Sequence, residues 1–345
     1  MSLTPHKATY SKEPLRTVKS LCAMLRLEEQ ALRDLAAHAP ALYRRVKPKP
    51  GSKRETFDAL PRLKVIHKRI KTQVLERVRF PSYLTGSVKG RDYKENAAKH
   101  AGQRVVICED VKGFFPSVTA EMVCDIWQGI FGCSSDVAQL LTQLTTKDGA
   151  LPQGAIPSSY LANLVLWRTE PLVHAKLDAQ GITYSRYVDD ITMSSPRRLS
   201  VAQKQAAIGM VYGMLSEAGL RAGREKHDVF NGSKPMIVTK LVVNEKPSLT
   251  KKKRSAVRAA VFQFQQTLAL GEPTADTVIT LNKLAQRVGQ LGRFHPREAA
   301  VLKLRLQATR AFIDKAQPQT LTTGLLPDAR LTTPPEGAPA PWDDL

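Results

Sequence analysis

From Leu15 to His38 apolar side chains recur at helical spacing, with Val18, Leu21, Leu25, Leu32 and Leu35 separated by charges, which predicts one or two amphipathic helices. Leu42 to Val46 and Arg54 to Phe57 flank the run Lys47-Pro48-Lys49-Pro50-Gly51-Ser52-Lys53, an order that predicts a basic β-hairpin. Helical spacing returns between Pro61 and Val78 through Leu63, Ile66, Ile70, Val74 and Leu75. Val105 to Val111 is a short apolar, β-branched run closed by Gly113 and Pro116, the pattern of a buried strand. Helices are predicted over 120–129, 136–145 and 158–175, the last opening beside Pro157. Ile182 to Arg186 and Ile191 to Ser194 read as two strands of an antiparallel hairpin joined by Tyr187 to Asp190. A helix over 201–218 and a strand-like stretch over 235–244 follow. Beyond Lys251 the pattern is helical only: Val257, Ala260, Val261, Phe264 and Leu268 form one stripe, and further helices fit 277–291 and 298–315. The last thirty residues hold six prolines and no apolar period, so they are predicted to be disordered.

Charge changes this picture. The 345 residues include 52 Lys or Arg against 31 Asp or Glu, a net charge of +21. The surplus is uneven: residues 1–104 carry +15, residues 105–250 are neutral, residues 251–315 carry +9 and the tail carries −3. Two basic lobes around a neutral centre call for a polyanion to offset their self-repulsion, and nucleic acid is the favoured one. Aromatic residues make up only 6 % of the chain, so contact with a nucleic-acid backbone is expected to outweigh base stacking. No stretch approaches the roughly 18 unbroken apolar residues needed to cross a bilayer, and a soluble cytoplasmic protein without a membrane partner is expected. Cys22, Cys108, Cys124 and Cys133 show no zinc spacing and read as reduced core thiols.

The candidate chemistry lies in the neutral centre. Asp110 closes a predicted buried strand, and Asp189 with Asp190 sits at the tip of the predicted hairpin, where carboxylates are costly unless their charge is compensated. Hard oxygen ligands brought from neighbouring strand ends suit Mg²⁺, which takes its remaining ligands from water and substrate phosphates. Two such ions can stabilise both the attacking and the leaving oxygen of an in-line phosphoryl transfer. Taken alone, an Asp-Asp pair in a turn is usually a solvated loop. Tyr-x-Asp-Asp is rarer: a chain with 8 Tyr at this composition would contain roughly 0.02 such words by chance.

Two further words precede it in a telling order. Asp110-Val-Lys-Gly-Phe-Phe-Pro-Ser117 resembles the first palm motif of reverse transcriptases, Leu151-Pro-Gln-Gly154 with Pro157-Ser-Ser159 resembles the second, and Tyr187-Val-Asp-Asp190 resembles the third. Gly219-Leu220 with Lys226 looks like a degenerate fourth, and the hairpin bearing Arg54 falls where the family's fingers hairpin lies. Among these enzymes the match is to bacterial retron reverse transcriptases, because Asn96-Ala-Ala-Lys-His100 fits their NAxxH signature and Val238-Thr-Lys-Leu-Val242 resembles their VTG segment. Lys240 stands where those enzymes normally have Gly, Ile156 is inserted before Pro157, and Glu109 precedes Asp110 where an apolar or Asn-Ile pair is usual.

The resemblance implies a mixed α/β (α+β) right-hand polymerase fold. Its parts would be an N-terminal helical extension over 1–40, fingers over 41–104, a palm over 105–249 with a finger insertion at 118–150, a helical thumb over 250–315 and an acidic Pro-rich tail over 316–345. It also implies RNA-directed DNA synthesis with two Mg²⁺ ions held by Asp110, Asp189 and Asp190. Lys53 and Arg54 would clamp the incoming triphosphate, Phe115 would exclude a 2′-hydroxyl, Gln153 and Gly154 would line the nucleotide pocket, and Lys226 would protonate the leaving pyrophosphate. Tyr187 would lie beside the primer end, and Asn96, His100, Lys251, Lys252, Lys253 and Arg254 would contact RNA. Each also has a plainer reading, as core aromatic, turn residue, capped helix or solvated charge.

The implied partners are a structured template and primer RNA, its DNA product, deoxynucleoside triphosphates and an effector protein acting in phage defence. Two rivals stand beside this reading. One is another prokaryotic reverse transcriptase of abortive-infection or group II intron type, and the other is a non-catalytic RNA-binding scaffold on a polymerase fold.

Overall fold

A computed structural model describes residues 6–48, 54–232, 234–271 and 273–316. The predicted disorder of the tail therefore falls outside the described residues, apart from Ala316. The chain separates into two compact units, 1–239 and 240–345. The break comes earlier than the expected thumb boundary at 250. Residues 241–249 go with the second unit because Val242 pairs with Ser248 and the Leu249 N–H donates to His295 Nε2 at 3.2 Å.

At the centre of the first unit lies a four-stranded antiparallel sheet in the order Thr183–Tyr187, Asp190–Ser195, Val105–Asp110, Asp228–Asn231. Val105, Val106 and Ile107 are all buried, so the Val105–Asp110 strand is apolar on both faces, whereas Asp190–Ser195 turns Ile191 and Met193 to one face and buries the polar Thr192 and Ser194 on the other. The helices Tyr93–Lys99 and Glu170–Asp178 pack against the Thr183–Tyr187 strand. One continuous apolar cluster runs from Leu21 to Leu220, and it joins the N-terminal helices Val18–Leu25 and Glu29–Ala37 to the helices Ala120–Gly129 and Ser135–Thr145. Local signals start many of these elements: Thr17, Asp92, Thr119, Ser134 and Ser200 each cap a helix with a side-chain oxygen.

The basic hairpin forms from Tyr43–Val46 and Thr56–Ala59, paired Tyr43 to Ala59 and Val46 to Thr56. It docks through the Phe57 N–H, which donates to the Gln153 carbonyl at 2.8 Å. Gly154 permits this contact. Its φ is +101°, and a Cβ there would meet the Phe57 carbonyl oxygen at 2.9 Å.

Three expectations need correction. The helix expected over 158–175 is two, Ser158–Leu164 and Glu170–Asp178, because the Pro171 ring has no N–H to donate and would collide with the Trp167 carbonyl of a continuous helix. The helix expected to reach Val78 ends at Gln73 and passes through a 3₁₀ turn into a short strand, Val78–Arg79, paired with Thr9–Tyr10. The strand expected over 235–244 is interrupted, since Thr239 and Lys240 both take left-handed φ values of 44° and 65° and turn the chain between Ile237–Val238 and Leu241–Val242. Lys240 thus adopts the conformation that Gly adopts most readily.

The second unit contains three helices, Lys251–Ala269, Ala275–Gly292 and Pro296–Ala316. Val257, Val261 and Leu268 from the first are buried with Leu281, Leu284, Val288 and Leu291 from the second. Among the described residues no helix is long and apolar enough to cross a membrane.

Two fully buried histidines give the fold a pH dependence. Burial lowers the His67 imidazole to about 4, partly opposed by its contact with the Leu144 carbonyl, and lowers His100 to about 3. Both stay neutral in the folded chain at a pH where the unfolded chain is protonated, so their stabilisation is full above pH 6.5 and is lost as pH falls toward 4. Each should remove about 2 kcal/mol between pH 6.5 and 5. Urea unfolding across that range should show stability falling with acidification, and a flat profile would contradict the burial of both rings.

Candidate active site

The Val105–Asp110 strand runs antiparallel to Asp190–Ser195 in a register that sets Asp110 directly opposite Asp190, so the two carboxylates share a face of the sheet. The Val111 N–H donates to the Asp189 carbonyl at 3.0 Å, which ties the turn to the end of the central strand. Tyr187 pairs with Asp190, leaving Val188 and Asp189 as a two-residue hairpin loop. Val188 has φ +59°, a strained conformation for a β-branched residue in a position that favours glycine.

The neighbours that hold this turn are specific. Arg186, immediately before the motif, is completely buried. Its Nε and Nη2 donate to the two oxygens of buried Glu170 at 2.7 and 2.8 Å, Nη2 also donates to the Asn163 carbonyl at 2.8 Å, and Nη1 donates to the Val188 carbonyl at 3.1 Å. The Tyr184 hydroxyl adds a third hydrogen bond to Glu170 at 2.7 Å. On the other side the Thr85 N–H donates to the Arg186 carbonyl, and Gly86 lies so close that a Cβ would sit 2.5 Å from the Val188 nitrogen. The Asn163 amide donates to the Gly86 carbonyl at 2.7 Å, closing the ring of contacts.

The Lys226 ammonium donates to Asp110 Oδ1 at 2.6 Å, from a side chain that remains 54 % exposed. Burial opposes the charge on Lys226, but its hydrogen bond to Asp110 and the nearby Asp189 and Asp190 outweigh that and hold the ammonium above its usual range. Asp189 is pushed upward by burial and then by the Asp110 charge, with Lys226 and Arg54 among the groups pulling it back. The Arg54 charge therefore reaches Asp189 from the basic hairpin.

Among the described residues no three His, Cys, Asp or Glu side chains converge closely enough to hold a metal ion by themselves. The expected cluster is thus not a closed three-carboxylate cage. Its donor chemistry still fits a divalent cation: Asp189 lies in a desolvated place within reach of the Asp110 charge, and magnesium binds through one or two carboxylates with phosphate and water completing its shell. The structure lends no such support to a softer metal, since the Cys108 thiol is raised to about 12, by burial first and by the nearby Asp190.

The other predicted residues divide. Gln153 and Gly154 underlie the basic hairpin, and Tyr187 is partly exposed beside the turn. Phe114 is buried and Phe115 only partly so, because residues 114–117 form one helical turn after Gly113 (φ +54°). Lys53 lies outside the described residues.

Asn96 and His100 are corrected: both are completely buried and cannot reach RNA. His100 bridges Ser194 and Ser185 at 2.7 Å each, while Asn96 Oδ1 accepts from Thr85 at 2.6 Å and Ser185 at 2.8 Å. They brace the Tyr93–Lys99 helix against the hairpin. In the second unit Lys251 and Lys252 are exposed at a helix start, but Arg254 is turned to Glu298, with Nε to Oε2 at 2.8 Å. Lys253 is half-buried.

Sequence reading missed Arg186, Glu170, Asn163 and Gly86. A cation inside an apolar hairpin was the available signal for Arg186. Nothing in the linear pattern pairs it with Glu170.

Residues 47–257 match the reverse transcriptase (RNA-dependent DNA polymerase) family. The chain is 32 % identical over 305 residues to the Retron Se72 reverse transcriptase of Salmonella heidelberg (strain 579083-10), covering 86 % of this chain and 80 % of that one. It is 30 % identical over 328 residues to the Retron Ec48 reverse transcriptase of Escherichia coli, covering 89 % and 79 %. A telomerase structure from Candida albicans aligns at 11 % identity and a TM-score of 0.39 over 61 % of this chain and 40 % of that one, a likeness too slight to carry an argument.

Removing the buried guanidinium by Arg186→Ala should cost about 3–5 kcal/mol, because Glu170 would be left as an uncompensated buried charge. Gly86→Ala should destabilise by about 1–3 kcal/mol through collision with the turn backbone. Denaturant unfolding of both variants checks this, and an unchanged midpoint for either would contradict the packing described.

Proposed function

Because this chain belongs to the reverse transcriptases of bacterial retrons, and so is an RNA-directed DNA polymerase, we propose that it copies a dedicated structured RNA into single-stranded DNA joined to that RNA. The priming group would be a 2′-hydroxyl of the same RNA, and the system would serve in phage defence with an effector protein. The observation that carries the catalytic part is the register that sets Asp110 opposite Asp190 and ties the Asp189 backbone to Val111.

Asp110 and Asp189, with Asp190 beside them, are the residues that would hold Mg²⁺. When bound, the ions supply Lewis-acid stabilisation of the attacking and leaving oxygens. Arg54 offers a planar fork to the triphosphate, and its charge already acts on Asp189. Gln153 and Gly154 line the nucleotide pocket, Gly154 allowing close backbone approach. The Phe115 ring lies against the sugar and leaves no room for a 2′-hydroxyl. Tyr187 supports the primer end. The Lys226 ammonium, which its acidic neighbours keep protonated, gives its proton to the departing pyrophosphate. Lys251 and Lys252 contact phosphates of the nucleic acid, an interaction weakened by salt.

Primer extension on poly(rA) should succeed with the native chain and fall by more than about a hundredfold with Asp189→Asn. Equal yield from both, or none from either, would overturn the catalytic assignment. Phe115→Ala should keep DNA synthesis and raise ribonucleotide incorporation. Nucleic acid recovered with the protein should be branched RNA-linked DNA of one defined sequence, and heterogeneous DNA would count against the retron reading.

A further inference from the structure

Asp110 is preceded by a second acid that the proposed chemistry does not use. Glu109 and Asp110 are consecutive residues on one strand, so their side chains leave opposite faces of the sheet. Glu109 is buried and fully hydrogen-bonded: Oε1 meets His227 Nδ1 at 2.7 Å, and Oε2 accepts from the Tyr212 hydroxyl at 3.1 Å. His227 directly follows Lys226, whose ammonium meets Asp110 at 2.6 Å. Two consecutive bases thus grip two consecutive acids from opposite sides of the strand end.

The rest of the segment is fixed at both ends. The Gly223 N–H donates to the Asp110 carbonyl at 2.7 Å, and a Cβ at Gly223 would come within 2.7 Å of Asp110 Oδ2. At the other end Asp228 begins the strand that pairs with the central one, opposite Cys108. Between them Arg224–Lys226 make a single 3₁₀ turn with no buried residue of their own. Little apolar packing therefore sets the position of this turn. The buried contact nearest Lys226 within the segment is that of His227 with Glu109, and Glu109 is anchored in turn by Tyr212 on the Val201–Glu217 helix.

We propose that Glu109 and His227 are positioning residues for Lys226: they fix the turn so that the Lys226 ammonium is delivered to the leaving pyrophosphate. In the step they serve, the primer 3′-oxygen forms a bond to the α-phosphorus of the nucleotide and loses its proton to solvent. The bond from that phosphorus to the bridging oxygen breaks, pyrophosphate leaves with the electron pair, and Lys226 Nζ gives it a proton that water later restores. This inference rests on the reading of Lys226 as that donor.

Single-nucleotide incorporation measured as kpol and nucleotide Kd tests it, using the full chain with Glu109→Gln, His227→Ala, Lys226→Ala and the two double variants that include Lys226→Ala. Glu109→Gln and His227→Ala should each lower kpol about tenfold, a part of the hundredfold or more that a general acid contributes, with nucleotide Kd within about twofold. Neither should lower kpol further once Lys226 is Ala, because residues that act through one group are not additive. His227→Gln, which can still donate to Glu109, should recover most of the rate. Losses that multiply in the double variants, or unchanged kpol in both single variants, would overturn the positioning role while leaving Lys226 as donor. Native kpol in Lys226→Ala, with Asp189→Asn inactive, would instead overturn the donor reading and the inference with it. Should Glu109→Gln fail to fold, His227→Ala decides the matter, since that side chain is 36 % exposed and its loss opens no core cavity.

Discussion

Arg186 carries its charge with no exposure to water, and both Glu170 oxygens, the Asn163 carbonyl and the Val188 carbonyl meet its guanidinium. Buried ion pairs of this kind add little net stability when compared with well-packed apolar side chains, but losing one partner is expensive. What this pair provides is position. The Val188 backbone is strained, and such a conformation persists only where its surroundings over-determine it. One Arg186 nitrogen holds the turn from below and Gly86 presses on it from the side, so the Asp189–Asp190 pair is presented at the end of the central strand and nowhere else.

Electrostatics at that strand end follow from crowding. Asp189 is pushed upward by its burial and by the Asp110 charge, and cations approach from two directions, Lys226 from the segment that follows the Val201–Glu217 helix and Arg54 from the basic hairpin. An arrangement that leaves acid charge undercompensated favours a divalent cation arriving with an anionic substrate. The family to which the chain belongs uses that chemistry, and the same crowding explains why Lys226 stays protonated.

Several residues show where pattern reading stops. The His100 and Asn96 spacing did place both on one face of a helix, but a shared face can point to solvent or to the interior, and Ser185, Ser194 and Thr85 draw it inward. Pro171 was visible in the sequence and still did not break the expected helix, because the apolar period continued across it. The short strand Asp228–Asn231, largely exposed, carried no run of buried residues by which to find it.

The linear sequence determined the order and kind of most elements, the uneven placement of charge, and the words Asp110 to Ser117, Leu151 to Gly154 and Tyr187 to Asp190. These are local properties, since periodicity, capping and turn chemistry act over a few residues. Tertiary structure alone decided that Asp110 faces Asp190, that Arg186 finds Glu170, and that Glu109 is met by His227 and Tyr212. The last pairing spans more than a hundred residues of chain. Which distant polar groups meet is set by strand register and by how helices cover the sheet, and neither is encoded in any one segment, because a buried charge constrains only the presence of a partner and not its address.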